Sequence, residues 1–308
     1  LMTHMPEDKT TSLDFAPFLL DDESRKKHSE IVMCFYINQE KYILSTEFTK
    51  TKIYSEKLDY YGSNQPSNLY TRIYDEETDA TSIKFGNKLM LKKKSQESLE
   101  GNTTNNCSVL AAFSKTNIEA SQLNDVFTYF RESIGNMLRP NASLIRYAIK
   151  SLDENKSKNF ILHLLQASDF NISDINVIKD EIAIDEDMKK AINAAPIPEK
   201  AKEKLIEEGR ITNEELQFTH STDNGVFHLP ENMESRGTLR FLGIAFLLKE
   251  LLLKNKILLV DEIESSLHYE LLSFFIKVYL ANSAKHSQLI LTTHDITLLN
   301  EDYVRRDV

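Results

Sequence analysis

Ile257-Leu258-Leu259-Val260-Asp261-Glu262 is a continuous apolar run that ends in two carboxylates, and Gln288-Leu289-Ile290-Leu291-Thr292-Thr293-His294-Asp295 repeats the pattern with a histidine at its end. Short unbroken aliphatic runs of this kind suit parallel strands buried on both faces. Between them lie one helical pattern, Tyr269 to Asn282, and two short loops, the length of a right-handed crossover between parallel neighbours. The acids and the histidine then emerge at a single edge, the C-terminal one, where open α/β sheets bind ligands. A first carboxylate there can hold Mg²⁺ near a nucleotide, a second can orient or activate an attacking water, and a histidine can donate a hydrogen bond where charge develops. The competing reading makes Asp261 and Glu262 a simple cap and His294-Asp295 a turn that caps Ile296 to Leu299. The placement of the histidine after the acid-bearing strand favours the shared edge.

Upstream, Ser235-Arg236-Gly237-Thr238 stands directly before an almost wholly apolar helix, Leu239 to Leu253. A helix N-terminus carries free amides and a positive dipole end, so it prefers an anion. Gly237 permits close backbone approach, and Ser235 and Thr238 add hydroxyl donors. The bland alternative is an ordinary Ser N-cap. Leu216 to Thr219 and Val226 to Leu229 flank Thr222-Asp223-Asn224-Gly225, which reads as a hairpin leading to Ser235.

Further toward the N-terminus the period changes twice. From Ile31 to about Leu91 short alternating runs (Ile31 to Ile37, Tyr42 to Phe48, Ile53 to Tyr61, Leu69 to Tyr74, Ser82 to Phe85) are separated by Asn38-Gln39-Glu40, Gly62-Ser63-Asn64 and Asp75-Glu76-Glu77, which predicts an antiparallel meander. From Asn105 to about Glu215 the pattern is helical, with Val126, Phe127, Phe130, Ile134 and Leu138 on one stripe and Phe160, Ile161, Leu164 and Leu165 on another. Three segments follow: 1–92 as an N-terminal lobe with the β-meander, 93–215 as a helical insertion, and 216–308 as a C-terminal lobe. Lys92-Lys93-Lys94 reads as a solvated strand end.

The 308 residues suffice for two lobes, and 41% hydrophobic residues can build a core. A formal net charge of −10, from 47 acidic and 37 basic side chains, gives no overall field toward nucleic acid or anionic lipid. Nucleic-acid binding would need a local patch. Cys34 and Cys107 form no Cys-x-x-Cys pair and read as reduced, buried thiols of a cytosolic protein. The longest apolar stretch, Phe241 to Leu253, is interrupted by Lys249 and Glu250 and is too short to span a bilayer. No membrane role is expected.

Taken together, Ser235 to Thr238, then Leu258-Leu259-Val260-Asp261-Glu262-Ile263-Glu264-Ser265-Ser266-Leu267-His268, then Leu291 to Asp295 resemble the signature, Walker B, D-loop and switch-histidine motifs of the SMC/RecF-like branch of ABC ATPases. More narrowly, they resemble bacterial AAA-type ATP-binding proteins of the abortive-infection and anti-phage class. Pro17-Phe18, the segment Leu58 to Tyr61 and the order of meander then insertion join the resemblance, although only the C-terminal quarter is motif-specific. The resemblance implies a P-loop NTPase (ABC ATPase-like) α/β core with an antiparallel β-meander lobe and a helical insertion. It implies ATP and Mg²⁺ as ligands, with Asp261 as the Mg²⁺-side carboxylate, Glu262 as the catalytic glutamate and His294 as the γ-phosphate sensor. Ser235, Gly237 and Thr238 would act on nucleotide held by a partner subunit, which makes the expected assembly a homodimer or higher homo-oligomer.

Two departures accompany the resemblance. None of the eight glycines belongs to a G-x-x-x-x-G-K-[ST] loop, and in the family that phosphate cradle lies upstream of the region matched by residues 1–18, so a cradle supplied from before Leu1 is expected. The helical insertion has neither a long heptad arm nor a Cys-x-x-Cys hook, which lowers the weight of chromosome-tethering roles. Three functions stay open: an ATPase that dimerises around nucleotide and controls an effector such as a nuclease or toxin, a repair ATPase acting on DNA, and a non-catalytic scaffold. A basic groove across the dimer favours repair and an acidic one the effector switch.

Overall fold

The computed structural model describes residues 2–140, 142–152, 155–254, 256–265, 267–282 and 287–304, with the backbone alone described at 155–157 and 200. The chain forms two compact units, Leu1–Ile134 and Gly135–Val308.

In the first unit, β1 (Ser29–Ile37), β2 (Glu40–Phe48), β3 (Ile53–Tyr61), β4 (Ser67–Asp75) and β5 (Ala80–Phe85) pair in chain order as a five-stranded antiparallel sheet. Alternation fixes the register: Tyr42, Leu44, Thr46 and Phe48 of β2 are buried, and the residues between them are not. The buried face packs on α1 (Lys93–Asn102), α2 (Val109–Phe113) and α3 (Ser121–Thr128) through Leu58, Leu69, Leu99, Leu110 and Val126. Lys93 and Lys94 therefore open a helix rather than close a strand, and they are exposed. Inside this core, Glu56 accepts the Tyr70 hydroxyl (2.6 Å) and the Val109 N–H (3.2 Å), while Arg72 donates to the carbonyls of Ile53, Thr104 and Asn105. Burial pushes the Glu56 carboxyl up and the Arg72 guanidinium down. These polar contacts fasten the loop before α2 to the sheet.

The two thiols part company. Cys107 is buried, and burial pushes its thiol up to about 11. Cys34 is exposed, contrary to the expectation that both are buried, because it stands on the outward-facing register of the edge strand β1, opposite Ile43. At neutral pH, one equivalent of a small alkylating reagent should react with the native protein at Cys34, and Cys107 should react only in denaturant. Peptide mapping by mass spectrometry reads this out, and equal labelling of the two thiols in native protein would contradict the burial.

The second unit begins with an extended segment. The stripe from Val126 to Leu138 does not make one helix: α3 passes into a π-helical turn, Tyr129–Ser133, and the chain then runs alongside a strand. Next come α4 (Ile145–Leu152) and α5 (Asn155–Ala167), whose Ile161 and Leu165 are fully buried. β6 (Ile172–Ala183), α6 (Glu186–Ala194), α7 (Glu199–Glu208), β7 (Arg210–Thr222) and β8 (Gly225–Pro230) follow. β6, β7 and β8 form a three-stranded antiparallel sheet, and its hairpin from β7 to β8 turns at the predicted Thr222 to Gly225. β6 and the first residues of β7, Arg210 to Glu215, are strand in a stretch read as helical; β6 is the longer departure. Its outer half is exposed, so no apolar face announces it, and pairing with β7 decides its conformation.

α8 (Arg236–Lys254), β9 (Ile257–Val260), α9 (Tyr269–Asn282) and β10 (Gln288–Leu291) complete the unit. β9 and β10 are parallel neighbours, Ile257 opposite Gln288 and Val260 opposite Leu291. On the other side of β9, Gly135 N–H donates to Ile257 O (3.0 Å), Leu138 N–H to Leu259 O (2.8 Å) and Asp261 N–H to Leu138 O (2.8 Å). Phe241, Phe246, Leu258, Val260 and Phe275 lie in one core with the buried residues of α4 and α5. α8 approaches the chain after Leu138 closely: a Cβ on Gly243 would come 2.2 Å from that of Leu144, so no larger residue fits there without a shift. Among the described residues no helix is long and apolar enough to cross a membrane.

Candidate active site

The parallel pairing of β9 with β10 brings the ends of both strands to one place. Thr292, one residue past β10, donates its N–H to Val260 O (2.9 Å) and so continues the ladder beyond the strand. Its hydroxyl donates to Asp261 Oδ1 (2.6 Å) and accepts the Glu262 N–H (2.9 Å), locking the two acidic residues against the β10 end. Glu262 sits at φ 45°, a left-handed conformation that costs a side-chain-bearing residue roughly 1–2 kcal/mol. Backbone strain of this kind persists where surrounding contacts over-determine it, and functional sites are where it collects. Here the Thr292 contact and a turn, with Ser265 N–H donating to Glu262 O (2.9 Å), fix the residue on both sides.

His294 Nε2 lies 3.5 Å from Glu262 Oε1, and both side chains are open to solvent. The His294 N–H donates to Glu264 Oε1 (2.8 Å). Partial burial pushes the Glu264 carboxyl up, but the His294 N–H, the Thr293 hydroxyl and the nearby histidine ring outweigh it and hold the group below its ordinary value. Asp261, Glu262 and His294 are thus brought together as the sequence predicts. Thr292 and Glu264 join them without having been singled out. Their signal is the position of a hydroxyl and an acid beside residues already suspected, but the contact each makes spans about thirty positions of chain. Ser265 is the last turn residue before Ser266, which lies outside the described residues, and the Leu267 N–H donates to Glu264 O (2.8 Å).

Ser235, Gly237 and Thr238 form a separate feature. Ser235 caps α8: its Oγ accepts the Thr238 N–H (3.0 Å) and bonds the Thr238 hydroxyl (2.8 Å). The cap reading is thereby realised in the geometry, with Ser235 exposed and Thr238 buried. Among the described residues no hydrogen bond or ion pair joins this turn to Asp261, Glu262 or His294.

The donor set suits a hard divalent cation that takes most of its ligands from water and phosphate. Asp261 offers a carboxylate already oriented through Oδ1, with Glu262 beside it, and Mg²⁺ is characteristically held by one or two carboxylates rather than by an all-protein cage. No group of three or more His, Cys, Asp or Glu that could hold a metal ion occurs among the described residues. The parallel strands thus carry an Asp-Glu pair and a histidine at their shared C-terminal edge, where open α/β sheets bind ligands. A family model described as "AAA domain, putative AbiEii toxin, Type IV TA system" matches residues 109–300, more than half of the chain, and the protein belongs to this AAA family of P-loop ATPases. Membership implies a P-loop NTPase fold. No curated protein matches the chain.

Proposed function

We propose that the protein is an ATP-hydrolysing, ABC-type ATPase of the SMC/RecF-like branch that closes head-to-tail with a second copy around nucleotide and switches an associated effector, a nuclease or toxin, in anti-phage defence. The observation that carries the reading is the pairing of Glu262 with His294 at the common end of β9 and β10, with Asp261 fixed beside them. The toxin–antitoxin description of the family supports the effector and the defence setting. The reading requires a phosphate cradle from outside these 308 residues. Bound Mg²⁺ supplies charge neutralisation at the phosphates, and Asp261 is the residue that would hold it. Glu262 orients the attacking water and takes up its proton. His294 donates to the oxygen on which charge develops, its main chain held by the bond that its N–H donates to Glu264. Ser235 and the first amides of α8, at Gly237, act on nucleotide carried by the other copy, while Thr238, buried and bonded to Ser235, backs the turn from within.

ATP turnover by purified full-length protein, with and without Mg²⁺, tests the reading, and absence of any nucleotide binding would remove it. A finer test addresses Thr292. Thr292→Val keeps the shape and deletes the hydroxyl that serves Asp261 and Glu262 together. Turnover should fall by about tenfold, the worth of one hydrogen bond to a charged group, while unfolding free energy changes by only about 1 kcal/mol because water reaches this exposed position. Steady-state kinetics and thermal melts measure the two effects, and full turnover in the variant would deny the bridge a role.

A further inference from the structure

The turn that carries Ser235 is clamped to β7 at two points. β8 stops at Pro230, opposite Gln217, and the next residue's carboxylate takes over the ladder, Glu231 Oε2 accepting the Leu216 N–H (3.0 Å). A 3-10 turn, Glu231–Met233, then delivers Glu234, whose N–H returns to Glu231 O (3.2 Å). The Glu234 side chain is only 7% exposed, and its Oε1 meets His220 Nε2 at 2.5 Å, with the His220 side chain 21% exposed. A carboxylate this deeply placed needs a donor, and among the described residues the His220 ring N–H supplies it. The residue after Glu234 is Ser235, the cap of α8, so whatever displaces Glu234 displaces the cap.

We propose that His220 is a positioning residue for the Ser235–Thr238 turn, tying it through Glu234 to β7 and thereby to the arm that β7 builds with β6. The proposal rests on the ATPase reading above and names what holds that turn in place. β7 runs unbroken from Arg210 to Thr222. Its first half pairs with Ile178 to Ala183, braced by Lys179–Glu214 (2.9 Å) and Arg210–Glu181 (2.7 Å) ion pairs, and the α6–α7 hairpin is inserted between the two strands. Its second half holds Glu231 and Glu234. The hairpin and the Ser235 cap are therefore attached to one hydrogen-bonded strand, and the His220–Glu234 contact is the side-chain link nearest the cap.

The test compares His220→Phe, which keeps a ring and deletes the donor, with His220→Gln, which keeps an N–H donor. In the full chain without nucleotide, hydrogen exchange at the Thr238 and Leu239 amides should speed up about tenfold in His220→Phe, the loss of one charge-assisted hydrogen bond, and return toward wild type in His220→Gln. ATPase assays should show kcat lowered roughly tenfold in His220→Phe with KM within about twofold, since the turn acts after nucleotide is bound. In a Ser235→Ala background the same substitution should lower kcat much less, because both act through one turn. Unchanged exchange, or a kcat loss of undiminished size in the Ser235→Ala background, overturns the proposal; so does a variant with faster exchange and wild-type kcat. A wild-type protein that binds no nucleotide defeats the ATPase reading and the positioning role with it, while the exchange data still report whether His220 holds the cap.

Discussion

Glu262→Gln should bind ATP as tightly as the wild type and hydrolyse it ~10²–10⁴-fold more slowly, the usual worth of a positioned general base. Gln keeps the length and planarity of the side chain and can still meet His294, but it cannot accept a proton from water. The backbone contributions survive the change: the residue's N–H still donates to Thr292 and its φ of 45° is set by the turn, so the loop should keep its shape. Asp261 also keeps its Thr292 contact, which leaves the Mg²⁺-side carboxylate in place. Because binding persists while the chemical step stops, ATP-bound dimers should accumulate, visible as a shift in size by light scattering with ATP and absent with ADP. A variant that hydrolyses ATP at the wild-type rate would reduce Glu262 to a strained turn residue.

The sequence is most legible where a local pattern and the tertiary environment demand the same thing. Ile257 to Val260 and Leu289 to Leu291 are aliphatic and pair as parallel strands whose polar ends meet at one edge, so strand, direction and site residues could be read together, although β10 is half open, with Ile290 exposed, and is not buried on both faces as its run suggests. The meander is legible too, most plainly in β2 and β5, whose residues alternate strictly between a more covered and a more open face. β6 is not, since Lys179, Asp180 and Glu181 lie in its exposed half and only the partner strand, reached after two helices, makes them a strand. The same holds for Gly135 to Leu138, where hydrogen bonds to β9 override a helical stripe that ran on past Ile134. In the site, Asp261, Glu262 and His294 end their runs and are conspicuous. Thr292 and Glu264 matter only through partners that the crossover brings near, and a local reading of sequence has no access to that.

A mixture of two inactive variants should regain activity if the active site is shared between copies. Ser235→Arg places a long cation at an exposed cap, deletes the Oγ that accepts the Thr238 N–H, and costs about 0.5–2 kcal/mol, too little to unfold a domain. It should nevertheless block closure, because the turn has to approach phosphates held at the Asp261, Glu262 and His294 edge of the opposite chain. Within one chain the turn makes no hydrogen bond or ion pair to that edge among the described residues, as a trans-acting element requires. A dimer of one Ser235→Arg chain and one Glu262→Gln chain contains one site with both defects and one in which an intact Ser235 faces an intact Glu262. Random pairing of equal amounts makes roughly half of the dimers mixed, each with one working site of two, so the mixture should reach roughly a quarter of wild-type turnover although neither variant is active alone. The chains must be combined before ATP is added, since Glu262→Gln dimers close and persist once it is bound. Mixtures that stay inactive, or Ser235→Arg protein that hydrolyses ATP normally as a monomer, would leave Ser235 as a helix cap and nothing more.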